Sequence, residues 1–345
     1  ETLQKFQHQT GLPTRLEVRG VGLPLPADVQ VQVLHVVQEA LSNVRKHAGA
    51  SHVSLEVDKG ERWRFTVRDN SVGVEIHHAN LGFGVSAQHI LQIRELLNKH
   101  RVVIFANQQM DDEQLKEFAF RIGPPFVVDQ RMPVLGSDEE KIDHVLVVAN
   151  QAPEYKRTYL GCQEVLPHSD HQWLRCPSAV SLLYAVDIAD QSPPTTWIDM
   201  AHAYTTLDTN TRSLIDDLRL ITYNPFFRPF GSVCAHYVDR ATEIPPGDTF
   251  AHPLVTTHLE TREKVLYLNA AYEVELVGVE YKAGKALVAR LQAHVEESRL
   301  RYTHQWKRGD LVLWDNRATL HYRPAFESSV RRVLKRVSIA GSIPV

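Results

Sequence analysis

The chain has 345 residues, 43% of them hydrophobic and 23% charged, with a formal net charge of -3. This is the composition of one large globular domain or two smaller ones, and it gives no electrostatic reason to expect nucleic acid or an anionic membrane as partner. No apolar run is long enough to cross a bilayer, the opening residues carry no leader pattern, and Cys162, Cys176 and Cys234 are an odd, unclustered set, so a cytoplasmic protein with reduced thiols is expected.

Residues 1–70 read strand, helix, strand, strand. An extended stretch, Thr14 to Arg19, leads to Pro24-Leu25-Pro26. A helix is predicted from about Val29 to His47, where Val33, Val36, Val37, Ala40, Leu41 and Val44 recur at helical spacing and Gly49 stands at the stop. Two alternating runs, Val53–Val57 and Trp63–Val67, are separated by Lys59-Gly60-Glu61 and predict a hairpin.

The character changes near residue 71, and residues 71–345 form the second part. Val72–Ile76 opens it, and a helix follows over Gln88 to His100. Val102–Phe105 reads as a buried strand, and a second helix begins at Asp111-Asp112 with Leu115, Phe118 and Ala119 on its apolar face. Short strands follow at Val145–Val148, Ser181–Val186, Val265–Leu268, Leu311–Trp314 and Val333–Ile339, interrupted by a helix from Gly284 to Glu297. A mainly β fold with flanking helices, of the double-stranded β-helix (jelly-roll) kind, is the expectation.

Among 18 histidines only His168 is followed two residues later by aspartate, Asp170. On a strand the two side chains share a face and reach one ion. His294 and Glu296 lie on the predicted helix and point apart, while His258 sits in a turn read as solvated. Downstream, Leu311–Arg317 reads as strand then turn, and His321 follows. In the alternating run after it, Arg332, Leu334, Arg336 and Ser338 share one face. A guanidinium facing the interior is costly unless an anion pairs with it, and its fork suits a carboxylate. Two imidazoles and a carboxylate on one face of a metal make the triad of non-haem Fe(II) oxygenases, with positions left open for co-substrate and O2.

Two resemblances accompany these readings. His35-Val-Val-Gln-Glu39-Ala-Leu-Ser-Asn43 and Val67-Arg-Asp69-Asn70 resemble the start of the ATP-binding domain of sensor histidine kinases, most closely the nitrate/nitrite type. There Glu39 and Asn43 would serve Mg-ATP and Asp69 the adenine. Neither the glycine expected at Ser71 nor the phosphate lid follows, so a partial, non-functional fragment is expected over residues 1–70.

Residues 72–345 resemble the taurine dioxygenase family of Fe(II)/2-oxoglutarate-dependent oxygenases. The matching text is Val72–Ile76, His168-Ser-Asp170, Ser181–Ala185, Thr195-Thr-Trp197, His252–Val255, Trp314-Asp-Asn-Arg317, and His321 with Arg332 eleven and Arg336 fifteen residues on. The resemblance implies His168, Asp170 and His321 as iron ligands. Arg332 and Thr195 would hold the far carboxylate of 2-oxoglutarate, and Arg336 the inner end of the pocket. It further implies O2 as oxidant, release of succinate and CO2, and hydroxylation of a small anionic substrate. Family members commonly form homo-oligomers. Pro167 and Gly123–Asp129 depart from the sulfonate-binding members and point away from taurine itself, Ser192-Pro-Pro194 replaces the glycine-rich run before Thr195, and Asn224–Phe230 reads as an aromatic lid. The alternatives are an ATP-binding signalling fusion with a ligand-sensing jelly-roll domain, and a jelly-roll binding protein without catalysis.

Overall fold

The computed structural model describes residues 2–20, 25–44, 53–59, 63–69, 72–77, 79–82, 84–127, 144–225, 249–299 and 301–345. Residues 1–73 with 299–302 make one compact unit, and residues 74–298 with 303–345 a second.

The first unit contains α1 (Thr2–Thr10), β1 (Thr14–Arg19), α2 (Ala27–Asn43), β2 (Val53–Lys59) and β3 (Trp63–Asp69). β1 pairs parallel with β2, and β2 pairs antiparallel with β3. The hairpin and the long helix are where the periodicities put them, while Gly49 and the tip Gly60-Glu61 lie outside the described residues. α1 was not anticipated: its Leu3 and Phe6 pack with Val37, Leu41, Val44 and Val53. The stripe on α2 is narrower than expected, since Val36 is 66% exposed.

The second unit opens with β4 (Val74–Ile76), α3 (Ala87–His100), β5 (Val102–Phe105) and α4 (Asp112–Ile122). Ser86 caps α3 by accepting from the His89 amide, and Ile90, Ile93 and Leu97 bury its inner face. Asp111 and Gln114 close a reciprocal capping box on α4, and Leu115, Phe118, Ala119 and Ile122 turn inward. Then come β6 (Leu146–Asn150), β7 (Tyr159–Leu160), β8 (Val165–His168), β9 (Ser178–Ile188), β10 (Thr195–Asp199), α5 (Met200–Thr205) and α6 (Thr209–Ile215). β11 (Arg219–Tyr223), β12 (Thr249–Pro253), β13 (Val255–Thr257), β14 (Lys264–Leu266), β15 (Val274–Leu276) and α7 (Tyr281–Glu296) follow, and the last two residues of β16 (Arg301–His304) with β17 (Leu311–Asp315), β18 (Thr319–Arg323) and β19 (Arg332–Ala340) complete it.

A seven-stranded sheet of order β4–β5–β17–β9–β19–β6–β7 is the main layer, and a second sheet carries β10, β18 and β8. One face of the main sheet (Val103, Phe105, Leu182, Leu313, Val337, Ile339) packs under α3 and α4. The alternate residues face the second sheet: Trp314 of β17 lies 5.7 Å from Trp197 of β10 and 4.8 Å from His321 of β18, ring to ring. The far face of the second sheet, with Ile198 and Leu320, is covered by α5 and α7. The candidate site therefore sits between two sheets whose outer faces are sealed by helices. Among the described residues no helix is long and apolar enough to cross a membrane.

Candidate active site

β8 and β18 run antiparallel, with His168 directly opposite His321, and the two imidazole centroids are 4.1 Å apart. Asp170 completes the group: its Oδ1 lies 3.6 Å from His168 Nε2 and 4.0 Å from His321 Nε2. All three side chains are buried, and one ligand atom from each falls within 4.8 Å of the others. Asp170 arrives by a route other than the strand alternation first invoked. β8 ends at His168, and Asp170 stands in a turn that continues through His171 at φ +61°. That turn is fixed by Asn316: Ser169 Oγ donates to its carbonyl at 2.6 Å, and the Asp170 amide donates to its Oδ1 at 3.2 Å.

The protonation states suit a metal. His168 Nδ1 is 2.8 Å from the Leu166 carbonyl; a carbonyl can only accept, so Nδ1 carries a proton, and Nε2 is the nitrogen turned to the cluster. Burial, then the neighbouring His168, pushes His321 down to about 3, so that ring is neutral near pH 7. Burial would raise the Asp170 carboxyl, but Arg336 and the nearby His168 and His321 together hold it well below the usual carboxylate range. Ser181 Oγ donates to Asp170 Oδ2 at 2.7 Å and Arg336 Nη1 to Oδ1 at 3.2 Å. Two imidazoles and one carboxylate, converging in a buried space, fit Fe(II) by donor type and by number. His321 Nδ1, buried with no hydrogen-bond partner among the described residues, is the one group in the set left without outer support.

A cavity of about 370 Å³ opens on this cluster. Its inner end carries His168, Asp170 and Arg336, and its walls are formed by apolar and aromatic groups including Trp173, Tyr272 and Leu166. Trp173 meets Tyr272 edge-on at 5.0 Å, and Tyr272 in turn meets His168 at 5.9 Å. His171 is stacked on Phe126 at 4.2 Å.

Arg332 of β19 and Thr195 of β10 come together, with Arg332 Nη2 3.4 Å from Thr195 Oγ1. Both are buried. Arg332 has no carboxylate partner among the described residues, and its Nε meets no acceptor. Burial, then the like charge of Arg323, pushes its guanidinium down to about 9. Arg323 is itself buried and spends its donors on the carbonyls of Leu160, Gly161, Gln163 and Pro324.

Of the six residues singled out in the sequence, His168, Asp170 and His321 thus form one cluster that Arg336 touches, and Thr195 and Arg332 form a second buried pair. The other histidine readings fare differently. His258 is buried, not solvated: its Nε2 lies 2.9 Å from Asp315 Oδ2, and its Nδ1 accepts from the Thr261 amide at 3.1 Å. His294 stays on α7 and contacts the Ala203 carbonyl. Most of the Asn224–Phe230 stretch and Asp69's side chain lie outside the described residues, as does that of Asn43, while Glu39 is exposed on α2. Ser181, Asn316, Trp306 and Arg323 were not assigned a part. Ser181 and Asn316 stood inside stretches already noted, but nothing in the spacing ties either to Asp170.

The arrangement is one that could hold a single metal ion on two histidines and an aspartate, in a domain that also buries an arginine with no carboxylate partner among the described residues. Residues 72–338 match the family model of taurine catabolism dioxygenases, TauD/TfdA, and residues 28–112 match that of the histidine kinase-, DNA gyrase B- and HSP90-like ATPases. An alpha-ketoglutarate-dependent 2,4-dichlorophenoxyacetate dioxygenase of Cupriavidus pinatubonensis is 28% identical over 279 residues, covering 78% of this chain and 93% of the relative. An alpha-ketoglutarate-dependent sulfate ester dioxygenase of Pseudomonas putida is 25% identical over 281 residues, covering 79% and 88%. Among solved structures, a taurine dioxygenase from Burkholderia xenovorans superposes with a TM-score of 0.62 at 27% identity, covering 80% of this chain and 89% of that one. AAD-2 in complex with Mn(II) and N-oxalylglycine gives 0.63 at 26%, covering 79% and 95%.

The chain belongs to the TauD/TfdA dioxygenase family. It is an Fe(II)- and 2-oxoglutarate-dependent dioxygenase preceded by a histidine-kinase-like stretch. The two matches overlap over residues 72–112, and from Val74 onward that overlap lies in the second compact unit, where α3 and β5 build the core under the main sheet.

Proposed function

We propose that His168, Asp170 and His321 hold the iron, and that Arg332 with Thr195 holds the far carboxylate of 2-oxoglutarate. Iron bound there supplies the redox chemistry that couples decarboxylation of 2-oxoglutarate to succinate and CO2 with hydroxylation of a substrate C–H bond. The chain supplies the rest. Ser181 and Asn316 fix the Asp170 carboxylate, the Leu166 carbonyl fixes the His168 ring, and the sealed space between the sheets keeps bulk water out. The two sheets form a jelly roll in this reading.

The substrate is a small organic anion with an apolar body. Its body lies against Trp173 and Tyr272, and Arg336 stands at the inner end of the cavity. Relatives named for 2,4-dichlorophenoxyacetate and for sulfate esters agree with that class. Residues 1–70 are a partial kinase-like domain without a nucleotide function, and the protein is cytoplasmic.

The observation that carries the proposal is the convergence of His168, Asp170 and His321 in one buried group, in a domain that also buries Arg332 with no carboxylate partner among the described residues. The test is anaerobic: Fe(II) and then 2-oxoglutarate are added, and the weak visible charge-transfer band of a chelated keto acid is followed. The band should appear in the wild type, vanish in His168→Ala and weaken in Arg332→Ala. A well-folded protein that shows no band would sink the assignment and favour a binding protein without catalysis.

A further inference from the structure

The hydroxyl of Thr195 is constrained from two sides. Trp306 Nε1–H donates to Thr195 Oγ1 at 2.9 Å, and Arg332 Nη2 donates to the same oxygen at 3.4 Å. Neither an indole N–H nor a guanidinium can accept a hydrogen bond. The oxygen's two lone pairs are thereby engaged, and its own proton must be given to some third group. No described residue accepts it. All three side chains are buried, and a buried donor left without an acceptor is costly.

Trp306 is itself firmly placed. It meets His304 edge-on at 5.0 Å. His304 Nε2 lies 2.9 Å from Asp310 Oδ2, and the Lys307 amide donates to the same Asp310 oxygen at 2.8 Å. This pins the turn between β16 and β17 on which the indole sits. The Arg332 guanidinium carbon is 5.8 Å from the centroid of the Trp306 ring. One indole therefore orders both the hydroxyl and the guanidinium.

We propose that Trp306 is a positioning residue of the co-substrate site, turning the Thr195 O–H toward the carboxylate that Arg332 holds. The inference rests on the reading of Thr195 and Arg332 given above. It also accounts for how Thr195 keeps its pose when Ser192-Pro193-Pro194 precedes it: the hydroxyl is oriented from β16–β17, across the sheet, and not by the segment before it.

The test is a double-mutant cycle on the full-length, Mn(II)-loaded protein. Calorimetric titration with 2-oxoglutarate is carried out on the wild type, Trp306→Phe, Thr195→Val and the double variant. Trp306→Phe keeps an aromatic ring and removes the N–H, and should weaken binding about tenfold, the scale of one hydrogen bond to a charge-bearing site. Thr195→Val should lose at least as much. The double variant should be no worse than Thr195→Val, because the indole acts through the hydroxyl. Mn(II) affinity, titrated separately, should be the same in all four proteins; an indole that only supported the fold would lower it. Thr195→Ser should keep both the affinity and the sensitivity to Trp306→Phe.

Additive losses, or a Trp306→Phe protein that binds 2-oxoglutarate as the wild type does, overturn the proposal. If Trp306→Phe does not fold, the cycle is run with Trp306→Tyr and read in the same way. Arg332→Ala tests the underlying site separately. Undiminished binding there removes the site assignment itself, whereas lost binding there with additive losses in the cycle removes only the role of Trp306.

Discussion

Arg332→Met should make the ligand-free protein more stable while abolishing its response to 2-oxoglutarate. In the wild type the guanidinium is 4% exposed and has no acid to pair with among the described residues. Burial and Arg323 push it down to about 9. At ~1.4 kcal/mol per tenfold in proton affinity, keeping this side chain charged costs on the order of 4–5 kcal/mol. The long hydrogen bond to Thr195 and the face of Trp306 offset about 2 kcal/mol of that. The folded-state pKa lies below the unfolded one, so for a cation the penalty is complete below about pH 9 and is relieved as the pH rises beyond it. Methionine fills similar length without charge, and swaps of this kind gain roughly 1–4 kcal/mol. We expect the melting temperature of the metal-free, ligand-free variant at pH 7 to rise by ~3–5 °C. The wild type should gain further on adding Mn(II) and 2-oxoglutarate, by about 2.7 kcal/mol at a hundredfold excess over Kd. In the variant the increment due to 2-oxoglutarate should vanish while that due to Mn(II) remains. Differential scanning calorimetry reads both. A variant that melts lower than the wild type, or that still gains from 2-oxoglutarate, would refute the idea that this arginine awaits an anion.

Ser181→Ala removes the 2.7 Å hydrogen bond to Asp170 Oδ2 and should weaken Mn(II) binding roughly 10–100-fold, as loss of outer support to a metal ligand does; an unchanged calorimetric isotherm would contradict this. Glu39→Ala should leave succinate release unaltered, and the wild type should give no heat with Mg-ATP, since Glu39 is exposed on α2. Gly309 has φ +86°, and a Cβ there would meet the Gln108 carbonyl at 2.8 Å, so Gly309→Ala should cost about 2 kcal/mol in urea unfolding; a loss under 0.5 kcal/mol would mean the turn relaxes freely.

Much of the site was legible because its residues are rare in combination. His168 and Asp170 stand out among 18 histidines, and β19 announces itself by alternation, with Arg332 and Arg336 buried on the inner face and Lys335 reaching out to Asp112. What stayed hidden depends on long-range closure. Asp170 reaches its place through Asn316, 146 residues away in sequence, and not through strand geometry. Trp306 finds Thr195 across 111 residues, and no local pattern encodes that meeting. His258 looked like a loop residue because its partner, Asp315, lies 57 residues on. α1 was missed because nine polar-rich residues carry only two buried side chains, too few to show a period. Local propensity fixes elements, and pairing fixes which interior face each residue shares.

β19 has a consequence for the order of assembly. It is a central strand, inserted between β9 and β6, both of which leave the ribosome long before it. Until β19 arrives, the main sheet has a gap lined by two unsatisfied edges, and such edges invite mispairing. His321 and both inner arginines also come from this last stretch, so a nascent chain holding only His168 and Asp170 lacks one of the three proposed iron ligands. Iron capture is thus expected to follow the closing of the sheet, and chaperone dependence should concentrate in the interval between synthesis of β9 and synthesis of β19. A protein arrested before His321 would present an open template for aggregation and lack one of the three proposed ligands.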